Sequence, residues 1–145
     1  MGKINWGRVI LGGLIAGVVI NVAEFLINGI ILGQDWNAAM KVLGIDLEAA
    51  MQSNPGMMAM FLVWGFIFGV IAVWFYAAIR PRFGPGPKTA VSAGVVLWLA
   101  AYLGPLMGYS AMGLWPMRLA IIASALGLVE FVLATVLGAW LYKEA

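Results

Sequence analysis

Four stretches of this chain are apolar and long enough to cross a lipid bilayer, and no other feature restricts its fold as strongly. They run over Val9–Leu32, Met57–Ile79, Thr89–Met107 and Met117–Leu141. A helix needs about 20 residues to span the hydrocarbon layer, because each residue adds only about 1.5 Å. In lipid, backbone N–H and C=O groups must be satisfied within the segment, which at this length means an α-helix. Composition agrees: 64% of the 145 residues are hydrophobic and 10% are charged, where soluble domains carry about 25% charged residues. Too few polar side chains remain to cover a water-facing surface. The expected fold is a single all-α domain over residues 1–145, an integral membrane four-helix antiparallel bundle.

Charge sets the expected orientation. Lys3, Arg8, Arg80, Arg82, Lys88 and Lys143 flank the spans on one side. Lys41 and Arg118 flank them on the other, beside Asp35, Asp46 and Glu48. Lys and Arg favour the cytoplasmic side, so both termini are expected there. The first apolar run is too long for a signal peptide and no small-residue cleavage motif follows it, so it reads as a retained anchor helix. The net charge of +2 is dispersed over helix ends without a basic run, and nucleic acid is not an expected partner.

The connections differ in kind. Arg80 to Lys88 holds three prolines and two glycines, which predicts a compact turn closing the second and third spans into a hairpin. Pro116 suits the first turn of the fourth span, and Pro105 predicts a kink or an end in the third. Between the first two spans, apolar residues recur at 36, 39, 40, 43, 47, 50 and 51. That spacing predicts one short amphipathic helix on the outer face, with Asp35 as its N-cap. It serves either as a connector that shields helix ends or as a docking surface or lid.

Small residues four apart let membrane helices approach closely. Gly13 with Gly17, Gly65 with Gly69, and Gly104 with Gly108 are such pairs, and the fourth span offers Ala123 with Gly127 and Ala134 with Gly138. Two of these stripes also carry a carboxylate. Gly13, Gly17, Asn21, Glu24 and Asn28 form one; Ala123, Gly127, Glu130, Ala134 and Gly138 form the other. A carboxylate at mid-bilayer costs about 2.5 to 3.5 kcal/mol unless it is neutral or paired, and no Lys or Arg lies at that depth. Glu24 and Glu130 are therefore expected to face each other, at depths differing by about 7 Å at the helical rise, with at least one of them uncharged. Asn21 and Asn28 lie one turn either side of Glu24, within reach of it.

Three roles fit this constellation: a structural polar cluster, a proton- or cation-binding site, or a seat for a lipid or quinone head group, a pigment or a partner helix. Trp98 and Tyr102, one turn apart, offer either a stacking face for a ring-bearing ligand or ordinary helix packing. Catalysis is not expected. The chain has no Cys and no His, which excludes thiol chemistry, His-ligated metals and Ser-His mechanisms. Ser92, Ser110, Ser124 and Thr135 have no base to activate them. The Met residues are scattered, as gap-fillers are. No phosphate loop or dinucleotide fingerprint occurs, and no metal or cofactor is expected.

Ile4-Asn5-Trp6, the glycine-rich first helix and the run Leu32-Gly33-Gln34-Asp35-Trp36 resemble a group of small bacterial four-helix membrane proteins classed as a domain of unknown function. The resemblance covers about the first quarter of the chain and implies a multi-pass protein of the bacterial inner membrane. A Glu in the first helix of a short four-helix chain is also similar to the small multidrug-resistance exporters. This chain departs from them in its length, its extra surface helix and its second Glu. The expected function is a non-catalytic accessory or scaffold subunit, surrounded by lipid and acting through helix association with a protein partner or with copies of itself. The alternative is a proton-coupled transporter of a small molecule or cation, working through the buried Glu pair.

Overall fold

The computed structural model describes residues 3–144. Its helices are α1 (Trp6–Ile31), α2 (Gly33–Val42), α3 (Leu47–Ser53), α4 (Pro55–Phe83), α5 (Pro87–Ala111) and α6 (Met117–Trp140). No strand occurs among the described residues. Four of the helices, α1, α4, α5 and α6, are long and apolar enough to cross a membrane. They coincide with the four apolar stretches of the sequence, but several ends and one connection differ from expectation.

The turn between α4 and α5 is shorter than the sequence suggests. α4 runs through Pro81 to Phe83. Arg80 and Arg82 in its last turn complement the negative end of the helix dipole. Only Gly84, Pro85 and Gly86 are left to reverse the chain. Both glycines have positive φ, 83° and 121°, which side-chain-bearing residues avoid. Thr89 Oγ1 closes the turn by donating to the Gly84 carbonyl at 2.7 Å. Pro87 then opens α5, where no donor is needed.

Pro105 does not end the third span. α5 continues to Ala111 through one widened, π-helical stretch at Leu99–Leu103. There the Gly104 N–H reaches back five residues to Leu99. A proline has no N–H, and its ring collides with the carbonyl four residues earlier. Widening the preceding turn accommodates both.

The segment expected as one amphipathic helix is two. It breaks at Gly44, whose φ is 78°. Asp46 caps the second piece, accepting from the Ala49 N–H at 3.0 Å. Asp35 is not a cap. α2 follows α1 after Leu32 alone, and the Trp36 N–H bonds the Leu32 carbonyl at 2.9 Å.

Glycines set the packing. α1 and α4 run antiparallel, with Gly13 against Val70 and Gly17 against Phe66. A Cβ on Gly69 would strike the backbone of Gly13 and Gly17, and one on Gly65 would strike Asn21. Gly12 lies against Gly138 where α1 meets α6, and Tyr102 of α5 fills the space over Gly127. The stripe Ala123, Gly127, Glu130, Ala134 and Gly138 of α6 is buried throughout.

Candidate functional site

Glu24 stands where α1 changes its winding. The next residues, Phe25–Ile31, form a π-helical stretch, and the Leu32 N–H reaches five residues back to Ile27 at 2.8 Å. Asn28 lies within this wider stretch and is the hub of the polar cluster. Its amide nitrogen donates to Glu24 Oε2 at 2.6 Å and to the Tyr102 hydroxyl at 3.0 Å. Its Oδ1 accepts from Trp36 Nε1 at 2.9 Å. The indole fixes the amide's orientation, because its N–H can only donate. Tyr102 comes from the other π-helical stretch, in α5. Two widened turns on different helices thus supply one hydrogen-bonded group. Such turns recur at functional sites because they re-aim side chains.

Glu130 approaches from α6. It is 2% exposed, and neither carboxyl oxygen has a hydrogen-bond partner. No Lys or Arg forms a salt bridge with Glu24 or Glu130 among the described residues. Tyr102 is the residue common to both: it bonds the Asn28 that holds Glu24, and its ring lies on Gly127, one turn before Glu130. That ring also meets Phe131 edge-on at 5.7 Å. The two carboxyls are not hydrogen-bonded to each other.

The remaining sequence candidates divide. Asn28 reaches Glu24 as its spacing suggests, whereas Asn21 does not. The Asn21 amide donates to the Gly17 carbonyl at 3.0 Å and the Leu62 carbonyl at 3.2 Å, tying α1 to α4. Trp98 donates to the Ser124 carbonyl at 2.8 Å and ties α5 to α6. Tyr102 packs its ring on Gly127, and Trp98 is likewise partly buried against the core. Gly13, Gly17, Gly65, Gly69, Gly127 and Gly138 all sit at helix contacts. Trp36, which the sequence places only on the apolar face of the outer helix, is a member of the cluster. Its position eight residues after Asn28, two turns along a nearly continuous helix, was the available signal. The Trp36 ring also meets Trp115 edge-on at 5.6 Å, which joins α2 to the start of α6.

No protein-family profile, curated protein or solved structure matches the chain. The chemistry therefore rests on the residues themselves. No cluster of three metal-ligating acidic side chains occurs among the described residues. Two carboxyls, a phenol and an amide in an apolar bundle can share a proton or surround a small monovalent cation.

Proposed function

We propose that this chain is a multi-pass membrane protein whose Glu24–Glu130 pair takes up and releases a proton in exchange for a small cation. Both termini lie on the cytoplasmic side in this reading, and α2 and α3 lie at the outer surface. The distribution of Lys and Arg supports that orientation, and the four long apolar helices support a place in a membrane. The observation that carries the function is the Glu130 carboxyl, enclosed and without a partner. Intramembrane ionisable groups without a structural partner mark ion and proton pathways. The hydrogen-bonded chain from Trp36 through Asn28 to Glu24 and Tyr102 supports the same reading, since it leads from α2 toward the carboxyl pair. Vesicles carrying the purified chain and an entrapped pH dye test it. A gradient of sodium, potassium or a monovalent organic cation is expected to move the internal pH, and Glu130→Gln is expected to return the rate to that of empty vesicles. No pH change under any of these gradients, or equal rates in the variant, would contradict it.

One observation favours the accessory-subunit reading. Gly104 and Gly108 are exposed on α5, and a Cβ on Gly108 would meet nothing within 4 Å. This small-residue pair is unused inside the chain and suits a neighbouring membrane helix. Gly108→Leu would then release a co-purifying chain in mild detergent while leaving the bundle folded.

A further inference from the structure

α4 leaves the bundle over its first half. From Gly65 onward it buries Gly65, Gly69, Ala72, Val73, Tyr76 and Ala77, the spacing of one helix face. Before Gly65 it buries no residue, and every residue from Met58 to Trp64 is exposed. That run is longer than a full turn, so no face of the helix is covered there. α4 packs on Trp6–Glu24 of α1 and on Pro87–Trp98 of α5, but on neither Phe25–Ile31 nor Leu99–Ala111, the stretches that continue them. An opening is left between the first half of α4 and the last parts of α1 and α5.

Glu24 borders this opening. Gly13, Gly17 and Asn21 lie on the face of α1 that meets α4, and Glu24 follows Asn21 on that face where α4 departs. Glu24 and Tyr102 are only half-buried, whereas Glu130 is enclosed. The other ways to the carboxyls are packed. Toward α2, Trp36 bonds Asn28 and its ring meets Trp115, while Ile27, Leu32, Leu119 and Ala123 form one buried cluster. Toward the α4–α5 turn, Gly12 lies against Gly138, and Val9, Ala16, Val73 and Ala134 are fully buried. The accessible side of the site is lateral, beside α4, and in a membrane that side faces lipid.

The inner end of the opening is aromatic. Trp64 lies on Phe68 at 5.8 Å, Phe68 meets Phe131 of α6 at 6.1 Å, and Phe131 meets Tyr102 of α5 at 5.7 Å. This arc of rings passes from α4 across α6 to α5. It runs from an exposed indole to the residue beside Glu130 and on to the phenol that bonds Asn28. Trp64 is its free end, 49% exposed. Sodium and potassium are matched by oxygen ligands and shed water at a cost. An organic cation is weakly hydrated, is attracted by ring faces, and most of all by tryptophan. The carboxyls have no Lys or Arg partner among the described residues, so the charge complementary to them is positive.

We propose that the opening beside the first half of α4 admits an organic monovalent cation from the lipid, its charge meeting Glu24 and its apolar body lying on Trp64. This rests on the proton–cation exchange proposed above and names the class of cation exchanged. Calorimetric titration of the full chain in lipid nanodiscs with tetrabutylammonium tests it, with the heat of empty nanodiscs subtracted. Trp64→Leu keeps apolar bulk but loses the ring, and is expected to bind about five- to tenfold more weakly. Trp64→Phe keeps a ring and is expected to bind more tightly than Trp64→Leu. Trp140→Leu, at the other end of the bundle, should bind as the native chain does, and excess sodium or potassium should not displace the ligand. Equal binding by Trp64→Leu and the native chain would overturn the proposal, and so would displacement by sodium or potassium. Should Trp64→Leu fail to fold, Glu24→Gln takes its place: lost binding supports the proposal and undiminished binding overturns it. A pH dye in the same samples separates the two readings. Binding that depends on Trp64 but releases no proton keeps the opening and contradicts the exchange. Proton release driven by sodium or potassium and unchanged in Trp64→Leu keeps the exchange and overturns the opening.

Discussion

At Glu130, a carboxyl sits on a stripe of alanine and glycine with no donor for either oxygen. Methionine has nearly the same volume and no acceptor to desolvate. Glu130→Met is therefore expected to raise stability by about 1 to 3 kcal/mol, seen as a higher melting temperature in detergent, while cation-driven proton flux is lost. A carboxyl that glued helices together would give the opposite result, a lower melting temperature. Asn28 is the contrasting case, because its amide satisfies three side chains. Asn28→Leu is expected to cost about 1 to 3 kcal/mol by leaving them unmatched. Asn21→Ala should cost less than about 1 kcal/mol, since the carbonyls it bonds belong to helical backbone. Thermal denaturation of the two variants side by side checks the ranking. The Asn28–Glu24 bond was legible as a four-residue spacing. The loneliness of Glu130 was not, because periodicity gives the face of a helix but not what the facing helix offers.

Among the elements, the α1–α4 contact depends most on single atoms. A Cβ at Gly69 would strike backbone, which cannot swing aside as a side chain can. Gly69→Ala is expected to cost about 1 to 3 kcal/mol. Gly108→Ala meets open space and should stabilise its helix by about 0.5 to 1 kcal/mol. Melting temperatures of opposite sign would check both. The four long helices were plain in the sequence because hydropathy over twenty residues is a strong signal. Their ends were less plain, and prolines account for this. Pro81 sits in a last turn stabilised by Arg80 and Arg82, and Pro105 is absorbed by a widened turn. A proline marks where one hydrogen bond is lost, not where a helix must stop. The break at Gly44 was visible as a glycine between apolar residues, but the helical spacing continues across it and conceals the two separate pieces.

For the whole molecule, the glycine stripes that the sequence offers to any neighbour are largely consumed within the chain: Gly13, Gly17 and Gly69 against one another, and Gly12 against Gly138. That shifts weight from association toward the enclosed Glu130 carboxyl. Orientation can be read cleanly because the chain contains no cysteine. With single cysteines at Ser53 and at Lys143, a membrane-impermeant maleimide added to intact cells is expected to label the first and spare the second. The central claim is that Glu130 exchanges its proton for a cation inside the bundle. Infrared difference spectroscopy on the reconstituted protein tests it most directly. Adding the cation that drives flux is expected to remove a protonated-carboxyl C=O band in the native chain, with no such change in Glu130→Gln. A band that persists when the cation is added, or a change of the same size in the variant, would contradict it.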